Sequence, residues 1–335
     1  MAILSDIIDK YRTLSVVGIA KNAGKTTTLN YLIEEAMDEG ICLGVTSTGR
    51  DGESIDVVTG TDKPKVYLYP DTLVSIPTSL FEYASAGLEI LRMTKYHTSI
   101  GPVMICRVVD SGYVQIAGPV LTSDQMSMSD EMFALGARMV LIDGAIDRRS
   151  IAAPETSDAI ILATGAVLSR NMQKVAEETA HLAGLYSLSE IDDEQAKKRF
   201  CQSDKITITG KEKAVELDVK TALAASSIID EAIDEDTEYV YIPGALTSSV
   251  IANIHPKKFK HVTFALKDPT KIFLSSNEWQ QLRKKGFNVK VLRKINIAAI
   301  SVNPVSPQGY SFEHHKFVEI MEKAIPDIKI IDVKL

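Results

Sequence analysis

One stretch near the amino end decides the fold: LSVVGIAKNAGKTTTLNYLI, at residues 14–33. Its first residues form a short apolar run that is typical of a buried strand. A loop follows from Gly18 to Gly24, and Gly40 is placed to end the helix that comes after it. That helix is indicated by apolar residues at helical spacing, namely Leu29, Leu32, Ile33, Ala36 and Met37. Strand, glycine-bounded loop and helix in this order predict a loop that binds phosphate.

The chemistry of such a loop follows from the start of the helix. Backbone N–H groups of the first turn have no partner within the helix, and the helix dipole adds partial positive charge there. Lys25 would reach the β- and γ-phosphate oxygens, the Thr26 hydroxyl would bind Mg²⁺, and Thr27 would reach the α-phosphate. The residues predicted to bind the nucleotide are Asn22, Ala23, Gly24, Lys25, Thr26 and Thr27.

The loop departs from the usual phosphate-loop spacing at one position. The pattern G-x-x-x-x-G-K-[ST] requires a glycine at position 19, where this chain has Ile19, with Gly18 one residue earlier. The prediction therefore rests on Gly24, Lys25 and Thr26 in their strand and helix context. The alternative is an ordinary strand–turn–helix in which Lys25 is solvated.

A second chemical signal is the segment ARMVLID at residues 137–143, an apolar strand that ends in Asp143. A carboxylate at a strand tip beside a phosphate loop can bind Mg²⁺ through the water shell of the ion. We therefore predict a metal site formed by Thr26 and Asp143. Many strands of α/β proteins end in an aspartate, so this signal depends on the loop at residues 18–25.

A third candidate lies after the apolar segment at residues 41–47, where the polar loop TGRDGE begins. Ligands of open α/β sheets bind beyond the carboxyl ends of strands, which would bring this loop near the phosphates. Asp51 or Glu53 would hold Mg²⁺ through water or orient an attacking water, and Arg50 would offset γ-phosphate charge. We predict catalytic roles for Lys25, Asp51 and Asp143. The alternative for the loop is a glycine-rich solvated turn.

Charge and cysteine content narrow the class of protein. The chain has 335 residues, of which 45% are hydrophobic and 24% charged, as in soluble globular proteins. A net charge of −7 and a pI of about 5.5 argue against binding to nucleic acid or acidic membranes. Three scattered cysteines, the absence of a spanning run and the lack of a secretion-signal pattern in the first residues predict a cytoplasmic location.

The remaining sequence alternates strand-like and helix-like segments, which predicts an α/β fold with a mostly parallel sheet flanked by helices. We expect a P-loop nucleotide-binding domain at residues 1–190. Residues 200–335 would form a second α/β domain or extend the same sheet. Within the first domain the pattern predicts a helix over 78–94 and a strand pair at 103–108 and 113–117.

The nucleotide base is predicted from an absence in the sequence. We find no Asn-Lys-x-Asp segment of the kind that reads guanine; the nearest segment is ALKD at residues 265–268, which lacks the Asn. This favours ATP as the nucleotide and leaves GTP open.

Three segments together resemble a known family. VGIAKNAGKTT at residues 17–27, VTSTGRDGE at 45–53 and VNPVSPQG at 302–309 look like the KamB-type P-loop subunit of lysine 5,6-aminomutase reactivase. The resemblance implies a P-loop NTPase that works with a second, MutS-related subunit. Together they would restore an adenosylcobalamin- and pyridoxal-phosphate-dependent aminomutase by exchanging its damaged cofactor at the expense of ATP.

The resemblance carries over by motif to four residues, Lys25, Thr26, Thr27 and Asp143. The Asp-x-His-x-x-Gly pattern of base-off cobalamin domains is absent from the sequence. The implied role is repair of an enzyme, with the protein itself performing no chemistry on an amino acid.

Other classes of protein share the same loop. An ATP-dependent ligase, of the Mur type or similar to dethiobiotin synthetase, would activate a carboxylate as an acyl phosphate, although the Mur landmarks are missing. A nucleotide-gated binding protein with little turnover would use phosphate contacts to order the 48–53 loop and a partner surface. A homo-oligomer is compatible with each of these.

Overall fold

A computed structural model describes residues 3–48, 66–119, 121–144, 157–211, 213–219 and 222–334 of the chain. These residues form an α/β fold in which a large, mostly parallel sheet is flanked by helices. The strands are β1 (Thr13–Gly18), β2 (Leu43–Ser47), β3 (Val66–Leu68), β4 (Leu73–Pro77), β5 (Gly87–Thr98), β6 (Gly101–Asp110), β7 (Gly112–Val114), β8 (Met139–Asp143), β9 (Ala159–Gly165), β10 (Ile206–Gly210), β11 (Ala214–Leu217), β12 (Thr237–Ile242), β13 (Thr263–Leu266), β14 (Asn288–Val291), β15 (Ile297–Asn303) and β16 (Ile330–Asp332).

Helices connect most of these strands. They are α1 (Leu4–Ile7), α2 (Lys25–Asp38), α3 (Thr122–Ala134), α4 (Met172–Tyr186), α5 (Glu194–Gln202), α6 (Ala222–Ala232), α7 (Ser248–Ile251), α8 (Ser276–Lys284) and α9 (His314–Ala324). Helix α8 begins with a capping box, in which the Ser275 hydroxyl and the Glu278 carboxylate each accept from the backbone N–H of the other residue.

In the described part of the chain, the main sheet has nine strands, in the order β16-β15-β9-β1-β8-β2-β4-β6-β5. Every neighbouring pair from β16 to β4 is parallel, and β6 and β5 continue the sheet in antiparallel pairing. The carboxyl ends of the parallel strands therefore lie along one edge of the sheet. The strand that precedes the glycine loop, β1, is central and is flanked by β8 and β9.

Both faces of the main sheet are covered by apolar packing. On one face the buried side of α2, with Leu29 and Leu32, packs in a cluster that includes Val16 and Leu141. Alternate residues of the strands point to the opposite face, where Val140 and Ile142 join a cluster with methionines of α3. Burial on both faces explains why β1, β8 and β9 read as nearly continuous apolar runs in the sequence.

The chain forms two compact units. One unit contains residues 1–179 together with 296–335, and the other contains residues 180–295. The last strands belong to the first unit because β15 pairs with β9 and β16 pairs with β15, which extends the first sheet. The segment at 180–295 has a sheet of its own, in the order β11-β10-β12-β13-β14.

Two local predictions in the first unit are wrong. Instead of a helix over 78–94, the chain forms a 3-10 helix at Thr78–Tyr83 and then strand β5. Strand β5 is joined to β6 by a turn at residues 99 and 100. The apolar spacing of this segment fits a helix as well as a strand, and the antiparallel pairing with β6 is what makes it a strand. The predicted pairing of 103–108 with 113–117 fails because β6 pairs with β4 and β5, while β7 pairs with β3.

No helix among the described residues has the length and apolar character needed to cross a lipid bilayer.

Close strand packing at Gly165 leads to a testable prediction. A Cβ at residue 165 would lie 2.2 Å from the carbonyl oxygen of Asn303, an atom of the backbone that cannot turn away. We expect Gly165→Ala to lower the free energy of unfolding by about 1–3 kcal/mol, as overpacking does. Gly184→Ala, in helix α4 with no atom within 4 Å, should instead raise it by about 0.5–1 kcal/mol. Urea unfolding followed by circular dichroism would contradict this if both variants matched the parent.

A second prediction concerns His181 in α4, whose pKa is lowered mainly by burial, although a hydrogen bond to the Leu274 backbone opposes the shift. Since the unfolded chain then binds the proton more readily than the folded chain, stability is fully present above the ordinary pKa of 6.5 and falls as the pH drops below it. We expect the unfolding midpoint to decrease between pH 7 and 5, and the decrease to be smaller in His181→Gln. An equal decrease in both proteins would show that other groups cause it.

Candidate functional site

The glycine loop leaves the main sheet at the end of its central strand. We call residues 19–24 the 19–24 loop. The N–H of Ile19 donates to the carbonyl of Ala163 at 2.9 Å, which extends the pairing of β1 with β9 by one step. Two residues of the loop have left-handed backbone, Asn22 with φ 62° and Gly24 with φ 101°. With these two residues in the left-handed conformation, the chain passes from the edge of the sheet directly into the first turn of α2.

Helix α2 begins without a capping side chain, so its first-turn N–H groups carry the partial positive charge of the helix dipole. Its N-cap residue is Gly24, which has no side chain to accept from the first-turn N–H groups, and the first turn contains no acidic residue. The carbonyl of Gly24 accepts from the N–H of Thr28 at 2.8 Å and from its hydroxyl at 3.0 Å. No side chain of α2 itself therefore neutralises the partial positive charge at its start. The first N–H groups of the helix are suited to binding an anion.

Lys25 and Asp143 come together at this edge of the sheet. Strand β8 lies parallel to β1 with Asp143 in register with Val16, so its carboxylate stands one strand away from the 19–24 loop. The Lys25 Nζ lies 3.2 Å from Asp143 Oδ1, and both side chains are 29% exposed. The ion pair thus joins the two residues that the sequence predicts at the γ-phosphate end of a nucleotide.

The Asp143 carboxylate depends on Lys25 to compensate its buried charge. Its Oδ1 atom is buried, and the Lys25 ammonium at 3.2 Å is its one close charge in the described part of the chain. A buried oxygen without a hydrogen bond costs free energy unless a cation or a bound water satisfies it. Asp143 can therefore accept from the water shell of a Mg²⁺ ion when Lys25 moves away. Thr26 lies half-buried in the first turn of α2, next to Lys25 in sequence.

Beyond its first turn, the outer side of α2 is unsuited to a nucleotide. Thr26 and Thr27 open onto a surface groove that continues along the helix past Glu34, Asp38 and Glu39. Glu35, in the same groove, accepts hydrogen bonds from the N–H groups at the start of α1, and its pKa is raised because burial outweighs those bonds. Negative charge along the groove would repel phosphate, so an anion is expected to bind at the sheet edge.

The loop after β2 is only partly described. Thr48 donates its N–H to the carbonyl of Asp143 at 3.1 Å, so the end of β2 lies beside the end of β8. Asp51, Arg50 and Glu53 lie outside the described residues. The catalytic role of Asp51 remains a prediction.

Two residues of β15 belong to the site and were not predicted. Ser301 shares a buried hydrogen bond of 2.7 Å with the hydroxyl of Thr28, and the Asn303 side chain lies against Gly24. In the sequence, Asn303 belongs to the segment at 302–309 that carries the family resemblance, and nothing there assigns it a place beside the glycine loop. Neither residue is near the glycine loop in sequence, so a spacing rule could not have found them.

Comparison of the chain with protein-family models, with curated proteins and with solved structures finds no match. A free helix start, one lysine and one strand-end carboxylate are grouped at the carboxyl edge of a parallel sheet. Such a group can hold a polyphosphate and a hydrated divalent cation.

The Lys25–Asp143 ion pair can be tested by a double-mutant cycle. Because both side chains are partly exposed, we expect a coupling free energy of only about 0.2–1 kcal/mol between Lys25→Met and Asp143→Asn, which solvent screening keeps small. Urea unfolding without ligand at low ionic strength measures this coupling, and added salt should reduce it. A coupling several times larger would show that the pair is a structural element, with little freedom to separate.

Proposed function

We propose that this protein is a P-loop NTPase that binds and hydrolyses MgATP at the 19–24 loop. The observation that carries the proposal is the Lys25–Asp143 pair at the uncapped start of α2. ATP is favoured over GTP because the sequence lacks a guanine-reading segment. In this proposal Asn22, Ala23 and Gly24 provide the loop backbone, and Thr26 and Thr27 contact Mg²⁺ and the α-phosphate.

The residues of the site would exchange partners when the nucleotide binds. The Lys25 ammonium leaves Asp143 and moves onto the β- and γ-phosphate oxygens, where it stabilises charge that develops during transfer. Asp143 is then free to hold a water of the Mg²⁺ shell. The ion, when bound, neutralises phosphate charge and orients the leaving group. Asp51 is the proposed residue for orienting the attacking water.

We further propose that the ATPase serves a reactivating chaperone. Support comes from the resemblance of three segments to the KamB-type reactivase subunit. In that role the protein would act in the cytoplasm with a MutS-related subunit and would release damaged cofactor from an adenosylcobalamin-dependent aminomutase. Turnover would then respond to protein partners. A ligase would instead require a small carboxylate substrate, and a nucleotide-gated binding protein would bind ATP with little turnover.

The nucleotide site is tested by substitution of Lys25. We expect Lys25→Met to weaken ATP binding about a hundredfold or more, because it removes charge-assisted hydrogen bonds to two phosphates. Asp143→Asn should reduce Mg²⁺-dependent hydrolysis more than ATP affinity. Lys10→Met, an exposed lysine away from the site, serves as the control. Calorimetric titration and steady-state phosphate release provide the two readouts.

Unchanged ATP affinity in Lys25→Met would refute the proposed site. The same assays, repeated with a purified aminomutase and a MutS-related subunit or with a panel of small carboxylates, separate the three classes. Stimulation by protein supports the chaperone, stimulation by a carboxylate supports a ligase, and tight binding without turnover supports the gated binding protein.

A further inference from the structure

Strand β15 contacts the start of α2 although it is not a neighbour of β1. In the main sheet β9 separates the two strands. The Ser301 hydroxyl nevertheless bonds the Thr28 hydroxyl at 2.7 Å, and both side chains are buried. One turn earlier, a Cβ at residue 24 would lie 2.8 Å from the Cβ of Asn303 and 3.2 Å from its side-chain nitrogen Nδ2. The first turn of α2 thus rests on β15 at two points.

The residues of β9 make this crossing possible. On the face of the sheet covered by α2, β9 carries Ala163 and then Gly165, so little side-chain volume stands between α2 and β15. The pairing is tight, since the carbonyl of Asn303 accepts from the N–H of Ala166 at 2.9 Å. The Asn303 side-chain oxygen accepts from the N–H of Val305 at 3.1 Å, which fixes the orientation of this side chain toward Gly24.

We propose that Ser301 and Asn303 are positioning residues for the phosphate loop. Through Thr28 and Gly24 they hold the left-handed turn at the start of α2 and thereby set the direction of the first-turn N–H groups. This inference rests on the proposed nucleotide site for its effect on ATP, but the mechanical part concerns the protein without ligand. A loop that leaves its binding-competent form for part of the time binds more weakly in proportion to that fraction.

The Thr28–Ser301 contact can be tested against a matched pair in the same protein. Thr179 in α4 is equally buried, bonds the hydroxyl of Thr164 on β9 at 2.9 Å and also bonds a backbone carbonyl one turn earlier, as Thr28 does. Thr28→Val and Thr179→Val therefore remove the same interactions at similar burial. Only Thr28 lies at the 19–24 loop.

Thr28→Val removes the hydrogen bonds of its hydroxyl to Ser301 and to the Gly24 carbonyl, so we expect it to weaken ATP binding by at least about fivefold, the value of one hydrogen bond. Thr179→Val should keep the parental affinity. Ser301→Ala should weaken ATP binding by a similar factor. The double variant, Thr28→Val with Ser301→Ala, should bind ATP no more weakly than the weaker of the two single variants, because both substitutions remove the same shared bond. Thr28→Ser keeps the hydroxyl and should retain the parental affinity. Amide hydrogen exchange at residues 28–31, the first hydrogen-bonded amides of α2, should accelerate without nucleotide in Thr28→Val and not in Thr179→Val.

The Gly24–Asn303 contact has its own control. Gly136 has φ 109°, close to the 101° of Gly24, but no atom lies within 4 Å of its Cβ position. Gly136→Ala therefore reproduces the backbone strain of Gly24→Ala without the clash. We expect Gly24→Ala to weaken ATP binding far more than Gly136→Ala, and Asn303→Gly to restore part of the affinity when combined with Gly24→Ala.

The outcomes separate this inference from the proposed function. If the parent binds ATP and the Thr28 and Thr179 variants behave alike in affinity and exchange, the positioning role is refuted while the nucleotide site stands. If the parent binds neither ATP nor GTP, the proposed function fails, and exchange at residues 28–31 still decides whether β15 holds the start of α2. Faster exchange in Thr28→Val alone would support it, and equal exchange would refute it.

Discussion

The close approach of Asn303 to Gly24 is the constraint on which the rest of the site depends. It leaves no room for a side chain at the start of α2, and the left-handed backbone there excludes most residues for a second reason. With Gly24 in this conformation, α2 begins at Lys25, and the buried side of the helix packs on the sheet. The identity of one glycine is therefore decided by a strand that is distant in sequence, in addition to any need for close approach by a phosphate.

The electrostatic design of the site depends on a weak interaction. An ion pair between two partly exposed groups contributes at most about 1 kcal/mol, because solvent screens it. Such a pair holds Lys25 over the sheet edge and is easily exchanged for the stronger charge-assisted bonds of a phosphate. A fully buried pair would resist this exchange, since separating it would leave an unpaired charge in a medium of low polarity. The partial exposure of Lys25 and Asp143 thus favours a binding role over a structural one.

The sequence predicted those features that depend on local pattern. Residues 14–33 combine an apolar run, a glycine-bounded loop and helical spacing, and the structure has β1, the 19–24 loop and α2 there. Asp143 was placed at the tip of a strand, and its strand pairs with β1 as a common site requires. The segment at 78–94 was misread because its apolar residues fit a helix and a strand, and only pairing with β6 decides between them. Ser301 and Asn303 were missed because nothing local indicates that β15 reaches across β9.

The same long-range contact has a consequence for when the site can form. Thr28 and Ser301 are 273 residues apart in sequence, and the unit at residues 180–295 lies between them along the chain. The strand and helix around the 19–24 loop are local structures that form early, but loop-closure entropy delays contacts between segments so distant. Until β15 has joined β9, the turn at Gly24 lacks both its neighbour Asn303 and the buried partner of Thr28. The described shape of the 19–24 loop therefore depends on the long-range pairing of β15 with β9, in addition to the local strand and helix.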